Sequence, residues 1–308
     1  MDKEILAVLE EEGVSPALLD GARAFREQHP APEEAAYRIP EPEYIYYGKQ
    51  VWEEALAALL AGENLLLEGS KATGKNVLAE NLAALLGRPE WDVSFHINVD
   101  ASYLIGSDTY DGEKVVFRPG PVYLTAKYGG FGVLDEINMA KNEALAVLHS
   151  ALDFRRIIDV PGYEKVDIDP AARFIGTMNY GYAGTRELNE ALCSRFAIIN
   201  MPVITEDGLK KLITRAFPEI RPDICSQFMQ LFYELRRKAE SAEISERALD
   251  LRGILDAIRL IRCGLSSGDA LELCITNKTF DRYERDLIRD VIRARIPQDL
   301  TGEDVFGA

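Results

Sequence analysis

LLLEGSKATGKNVLAENLAALL, residues 65–86, runs from an apolar segment through a glycine-bounded loop into a helical pattern. The leucines suit a short buried strand. Leu78, Leu82 and Leu85 recur on one helical face before Gly87 ends the helix. Between the two segments, Gly69, Gly74 and Lys75 match GxxxxGK in the strand–loop–helix context that gives this pattern its meaning. Loop amides and the helix N-terminus turn positive dipole ends toward phosphate oxygens, and lysine adds a point charge. The candidate cradle is therefore Gly69, Ser70, Lys71, Ala72, Thr73, Gly74, Lys75, Asn76 and Val77. A glycine turn capping a surface helix would use some of the same residues. Asn76 stands where a serine or threonine hydroxyl ordinarily meets magnesium.

Sixty residues after Lys75, GFGVLDEIN sets Asp135 and Glu136 at the carboxyl end of a second apolar run, the edge where open parallel sheets gather ligands. Asp135 suits a magnesium ion held through its water shell, and Glu136 suits the orientation and deprotonation of an attacking water. A third strand, in FIGTMNYGY, ends in Thr177 and Asn179, whose amide suits a place beside that water and a γ-phosphate. Arg195 follows sixteen residues later, in LCSRF at the end of a helix. If that helix points away from its own nucleotide, its guanidinium is available to a neighbouring subunit's phosphoryl group. The plainer alternative for Arg195 is a surface salt bridge.

Strands are expected at 93–100, 130–136, 172–179 and 197–202, and helices at 143–154 and 186–196. This alternation implies an α/β fold with a mostly parallel five-stranded sheet covered on both faces. Two hairpins interrupt it, one at 107–117 with a two-residue type I′ turn at Asp111–Gly112, one at 155–169 turning at Pro161–Gly162. Either hairpin is also compatible with simple extension of the sheet. Three parts are expected: an acidic helical appendage with a proline-rich connector (1–45), the αβα nucleotide-binding core (46–203) and an all-helical domain (204–308).

The 308 residues carry 51 acidic and 35 basic side chains, a formal charge of −16, which repels phosphate backbones and anionic membranes. Nucleic acid is accordingly disfavoured as a partner. No apolar run approaches the roughly 20 residues that span a bilayer, and MDKEIL does not read as a signal peptide, so a cytoplasmic protein is expected. Cys193, Cys225, Cys263 and Cys274 show no metal-ligand spacing and are read as free thiols; His96 is read as strand packing.

Taken in order, GSKATGKN, FGVLDEIN, FIGTMNYGYAGTRELNEALCSRF and the helical tail resemble the AAA+ ATPases, most closely the MoxR-like and CbbQ/NorQ-like group related to dynein, over about residues 44–296. The resemblance implies an ATP- and Mg²⁺-dependent P-loop ATPase with a helical lid, assembled as a homo-oligomeric ring, usually a hexamer. Lys75 then corresponds to the Walker A lysine, Asp135 and Glu136 to the Walker B pair, Asn179 to sensor 1 and Arg195 to the arginine finger. Arg252 corresponds to sensor 2, with Arg247 as the competing assignment, and Tyr47 and Gly48 to part of the adenine pocket. The hairpins correspond to inserts that line a central pore. The family also implies remodelling of a client protein, often with a von Willebrand factor A partner. Two departures stand out: no Pro-Gly pair occupies the middle of the loop, and Asn76 replaces the hydroxyl residue, so weaker metal binding or slower turnover is expected. A GTP-dependent nucleic-acid motor of McrB type and a non-hydrolysing scaffold are the alternative functions.

Overall fold

In the computed structural model, residues 2–159, 165–179 and 187–307 are described. They form two compact units, one running to Ser70 and continuing over Gly74–Pro202, the other comprising Lys71–Thr73 and everything from Val203 onward.

The first unit is built on β1 (Asn64–Glu68), β2 (Glu90–Ser94), β5 (Phe131–Asp135), β8 (Arg173–Met178) and β9 (Phe196–Asn200). These pair in the order β2-β5-β8-β1-β9, every pair parallel. Burial on both faces makes β1 and β5 continuous apolar runs, and β8 is buried along its whole length. Leu65 and Leu67 enter one core cluster and Leu66 the other, as a period-two strand between two layers requires. The chain leaves β1 for the far side of the sheet and returns through β8 and β9 on either side of it. The loop after β1 thus opens at the carboxyl edge, at the point where strand order reverses.

Helices α1 (Asp2–Glu11), α2 (Pro16–Gln28), α3 (Lys49–Ala61) and α4 (Lys75–Leu86) share one cluster with Leu65, Leu67, Val133 and Ile175. The first two helices, read from sequence as an appendage, place Ile5, Val8, Leu9, Leu19, Ala22 and Phe25 in that core, and Val14 joins them from the turn between the helices. Their acidic residues Glu4, Glu10, Glu11, Asp20 and Glu27 are exposed. The other face carries α5 (Ala101–Ile105), α6 (Pro121–Tyr128), α7 (Asn142–Leu145), α8 (Leu148–Leu152) and α9 (Glu190–Cys193).

Several local expectations are corrected. The strand expected at 93–100 runs instead over Glu90–Ser94, because its ladder is set by β5, from Glu90 opposite Phe131 to Ser94 opposite Asp135. His96 consequently sits in an exposed loop, accepting the Asn98 N–H at Nδ1 (3.2 Å). The helix expected at 143–154 breaks into α7 and α8. That at 186–196 shrinks to α9, capped by the Asn189 side chain on the Leu192 N–H. The first hairpin, β3 (Gly106–Tyr110) with β4 (Val115–Pro119), turns through four residues rather than two: the Asp111 carboxylate takes the N–H groups of Glu113 and Lys114. The second pairs β6 (Ile157–Ile158) with β7 (Val166–Asp167); its expected turn at Pro161–Gly162 lies outside the described residues. Each hairpin is a separate two-stranded sheet and does not extend the central one.

The second unit is helical: α10 (Glu206–Ala216), α11 (Pro222–Glu240), α12 (Leu251–Arg262), α13 (Ser267–Cys274), α14 (Arg282–Arg295) and α15 (Gly302–Phe306). Among the described residues no helix is long and apolar enough to cross a membrane.

Candidate active site

Parallel register brings the sequence motifs together. Glu68 lies opposite Met178, and the Gly69 N–H donates to the Met178 carbonyl (3.3 Å), so the loop begins beside Asn179. On the other side of β8, Leu134 lies opposite Gly176, which puts Asp135 next to Thr177. The Thr177 hydroxyl donates to Asp135 Oδ1 at 2.6 Å and accepts the Glu136 N–H at 3.1 Å. Asn138, in the turn after the acid pair, donates through Nδ2 to the Asn179 carbonyl at 2.8 Å.

Lys75 opens α4 directly after Gly74, whose φ of 80° is left-handed. Its ammonium donates to the carbonyls of Gly69 (2.9 Å) and Ser70 (2.8 Å) and is only 7% exposed. Burial pulls its pKa down to about 8, against the opposing pull of the Asp135 and Glu136 charges. Those two carboxylates therefore act on the same ammonium. Ala72 (φ 63°) and Glu136 (φ 53°) are non-glycine residues in the left-handed region, one in the loop and one in the acid pair. Backbone held this way marks positions that the surroundings over-determine. Ser70, Lys71 and Asn76 are exposed, Thr73 is buried, and Val77 packs on the core.

Before the loop, the chain is pinned by a residue that the motifs did not single out. Asn81, fully buried in α4, accepts the Tyr46 N–H and donates to the Tyr44 carbonyl, both at 2.8 Å. The Trp52 indole N–H binds the Tyr46 carbonyl at 2.9 Å. The Tyr46 ring thereby lies so close to the loop that a Cβ at Gly74 would come within 3.0 Å of it, and one at Gly48 likewise. Burial and the charge of Glu54 push the Tyr46 phenol up to about 12, so it stays neutral. Tyr47, the residue expected there, is half-buried, while the ring that meets Gly48 and the loop belongs to Tyr46. A polar residue inside the apolar face of α4 was the signal for Asn81. Nothing in the sequence distinguished Tyr46 from Tyr47.

Arg195 is not with this group. Its successor Phe196 lies opposite Asn64, the first residue of β1, so Arg195 stands at the amino edge of the sheet. The loop after Glu68 lies roughly 15 Å away along the strand. There the guanidinium donates to the carbonyls of His149 (3.3 Å) and Ala191 and faces Asp153 at 3.9 Å. Arg252 and Arg247 belong to the second unit: Arg252 is exposed in the first turn of α12, and the Arg247 guanidinium sits 6.0 Å from the Phe280 ring centroid.

For a divalent cation, the described residues offer no group of three or more His, Cys, Asp or Glu side chains that could enclose it. Asp135, with Oδ1 bonded to the Thr177 hydroxyl, and the exposed Asn76 amide each offer a hard oxygen of the kind that Mg²⁺ accepts when water and phosphates complete its shell.

The sequence profile of the AAA domain, dynein-related subfamily, matches residues 64–196. An uncharacterized protein of Staphylococcus haemolyticus is 32% identical over 81% of this chain and 97% of its own length. YojN of Bacillus subtilis, also uncharacterized, is 32% identical over 77% of this chain and 80% of its own. Among solved structures, a mutant RuvB of Thermotoga maritima aligns over 81% of this chain and 70% of its own at 20% identity, with a TM-score of 0.47. A P-loop at the switch point of an all-parallel sheet, an acid pair two strands over and the profile match lead to one conclusion: residues 64–196 are an AAA domain of the dynein-related subfamily.

Proposed function

We propose that this chain is a MoxR-like AAA+ ATPase that binds and hydrolyses ATP between subunits of a homo-oligomeric ring and uses the energy to remodel or activate a client protein. The observation that carries this reading is the convergence of Lys75, Asp135, Glu136 and the Thr177–Asn179 strand end at one sheet edge, while Arg195 stands at the other.

In this reading the loop amides and Lys75 bind the β- and γ-phosphates. Asp135 and the Asn76 amide would hold Mg²⁺, which would supply charge neutralisation at the phosphoryl oxygens. Glu136 takes the proton of the attacking water, Asn179 orients that water against the γ-phosphate, and Arg195 of the adjacent subunit meets the developing charge. Tyr46, Tyr47 and Gly48 form the wall beside the base, and Arg252 is the lid's contribution. A von Willebrand factor A protein is the partner class to seek, in the cytoplasm.

The non-hydrolysing alternative rests on Asn76 alone, and a dead site would have no use for Glu136 at the end of β5 beside Lys75. The nucleic-acid motor conflicts with a net charge of −16. Phosphate release with ATP and Mg²⁺ tests the proposal. The purified chain is expected to turn over, and Glu136→Gln is expected to reduce turnover by about 10²-fold or more while retaining ATP. Equal rates in the two proteins would refute it.

A further inference from the structure

We infer that Thr177 is a positioning residue, whose hydroxyl clasps the acid pair to the strand that carries Asn179 and fixes which carboxylate oxygen of Asp135 remains for the magnesium shell. The inference deepens the ATPase reading and rests on it.

A threonine hydroxyl has one proton to give and two lone pairs to receive with. Here the proton goes to Asp135 Oδ1 at 2.6 Å, the short distance of a bond to a charged acceptor. That bond stops the carboxylate from rotating and leaves Oδ2 as its unclaimed oxygen. One lone pair receives the Glu136 N–H at 3.1 Å, at the point where β5 has ended and no ladder carbonyl takes its place. Glu136 has a left-handed backbone, φ 53°, a conformation that a non-glycine residue keeps only when something holds it. Thr177 is 1% exposed, so water cannot replace the hydroxyl without rearrangement.

Asn138 closes the clasp from the other side. It is 3% exposed, gives Nδ2 to the Asn179 carbonyl, and leaves its Oδ1 buried without a hydrogen-bond partner. Between them, Thr177 and Asn138 tie the base, the metal carboxylate and the backbone of Asn179 into one body. A group that contacts the γ-phosphate and a group that activates water cannot then shift independently.

The test compares Thr177→Val, which keeps shape and removes the hydroxyl, with Thr177→Ser, which keeps the hydroxyl and removes the methyl. Two readouts are taken on the full chain. The first is the Mg²⁺ concentration for half-maximal ATP hydrolysis. The second is hydrogen exchange of the Glu136 amide without nucleotide. The valine variant is expected to need about tenfold more Mg²⁺ and to lose about tenfold or more in kcat, with KM for ATP at saturating Mg²⁺ changed less than about twofold. Its Glu136 amide exchanges faster, whereas serine restores both properties. A valine variant with the wild-type Mg²⁺ requirement overturns the inference even if exchange changes, because the hydroxyl is then merely structural. A serine variant as impaired as valine also overturns it, because the methyl's packing then matters. If the wild-type chain shows no Mg²⁺-dependent turnover, the ATPase reading fails and the metal role with it. In that case unchanged Glu136 exchange in the valine variant rejects the clasp as well, and faster exchange retains it as a backbone clasp alone.

Discussion

Lys75 pays for its position in the first unit with its own charge. A lysine drawn from 10.5 down to about 8 by burial is charged at pH 7 at a cost of about 3 kcal/mol relative to the unfolded chain. Because the folded value is the lower one, the unfolded state binds more protons between pH 8 and 10.5. Folding stability from this group therefore rises as pH climbs through that window, and the penalty is fully present below it. In denaturant titrations, wild type is expected to gain about 2 kcal/mol relative to Lys75→Met between pH 7.5 and 9.5. A constant difference between the two proteins across that range would mean that the ammonium is not desolvated. Its ammonium donates to the neutral carbonyls of Gly69 and Ser70, and the charges of Asp135 and Glu136 oppose the penalty of burial. Asn76 is exposed at the second position of α4; in the proposed role its side chain, longer than a serine's or threonine's, would have to meet magnesium's near-octahedral geometry, which is the reason to expect weaker metal binding.

Helix ends account for three of the arginines at the amino edge of the sheet, Arg26, Arg88 and Arg173. The helices that precede β1, β2 and β5 all end there, and their last-turn carbonyls, some already accepting a C-cap glycine N–H as Leu59 and Ala84 do, have acceptor capacity left. Arg173 donates to the Leu59 carbonyl of α3 and Arg26 to the Ala84 and Leu85 carbonyls of α4. Arg88 donates to the Tyr128 and Gly129 carbonyls of α6 and to the His29 carbonyl after α2. Arg88 is 2% exposed, so Arg88→Met is expected to destabilise the fold by about 3 kcal/mol in urea unfolding, with ATP affinity of the folded fraction unchanged. A loss under about 0.5 kcal/mol would show those carbonyls to be otherwise satisfied. These arginines were not legible in sequence, since each works through a carbonyl distant along the chain. What was legible followed from local chemistry: β1, the glycine loop, α4, β5 with its acid pair and β8 each carry a pattern within a few residues. Elements whose limits depend on a neighbour were displaced or broken, as β2 was by its register with β5 and the 143–154 helix was at Ala146–Val147. Tyr46, Asn81 and Asn138 escaped notice because their importance lies in contacts 35 to 41 residues away.

Across the whole molecule, the two edges of one sheet divide the proposed chemistry between two copies of the chain. The carboxyl edge gathers the lysine, the acid pair and the sensor strand, and the amino edge holds Arg195 against His149 and Asp153. In the proposed ring, a heterologous interface would bring the amino edge of one subunit to the carboxyl edge of the next. Mixing two inactive variants tests this most directly. Glu136→Gln lacks the base but offers Arg195, whereas Arg195→Ala lacks the finger but keeps its base. Random co-assembly of equal amounts would restore about a quarter of the interfaces, so the mixture is expected to regain about a quarter of wild-type ATP hydrolysis although neither variant hydrolyses alone. Mixed assemblies, verified by native mass spectrometry, that hydrolyse no faster than the separate variants would contradict a site completed from the neighbouring subunit.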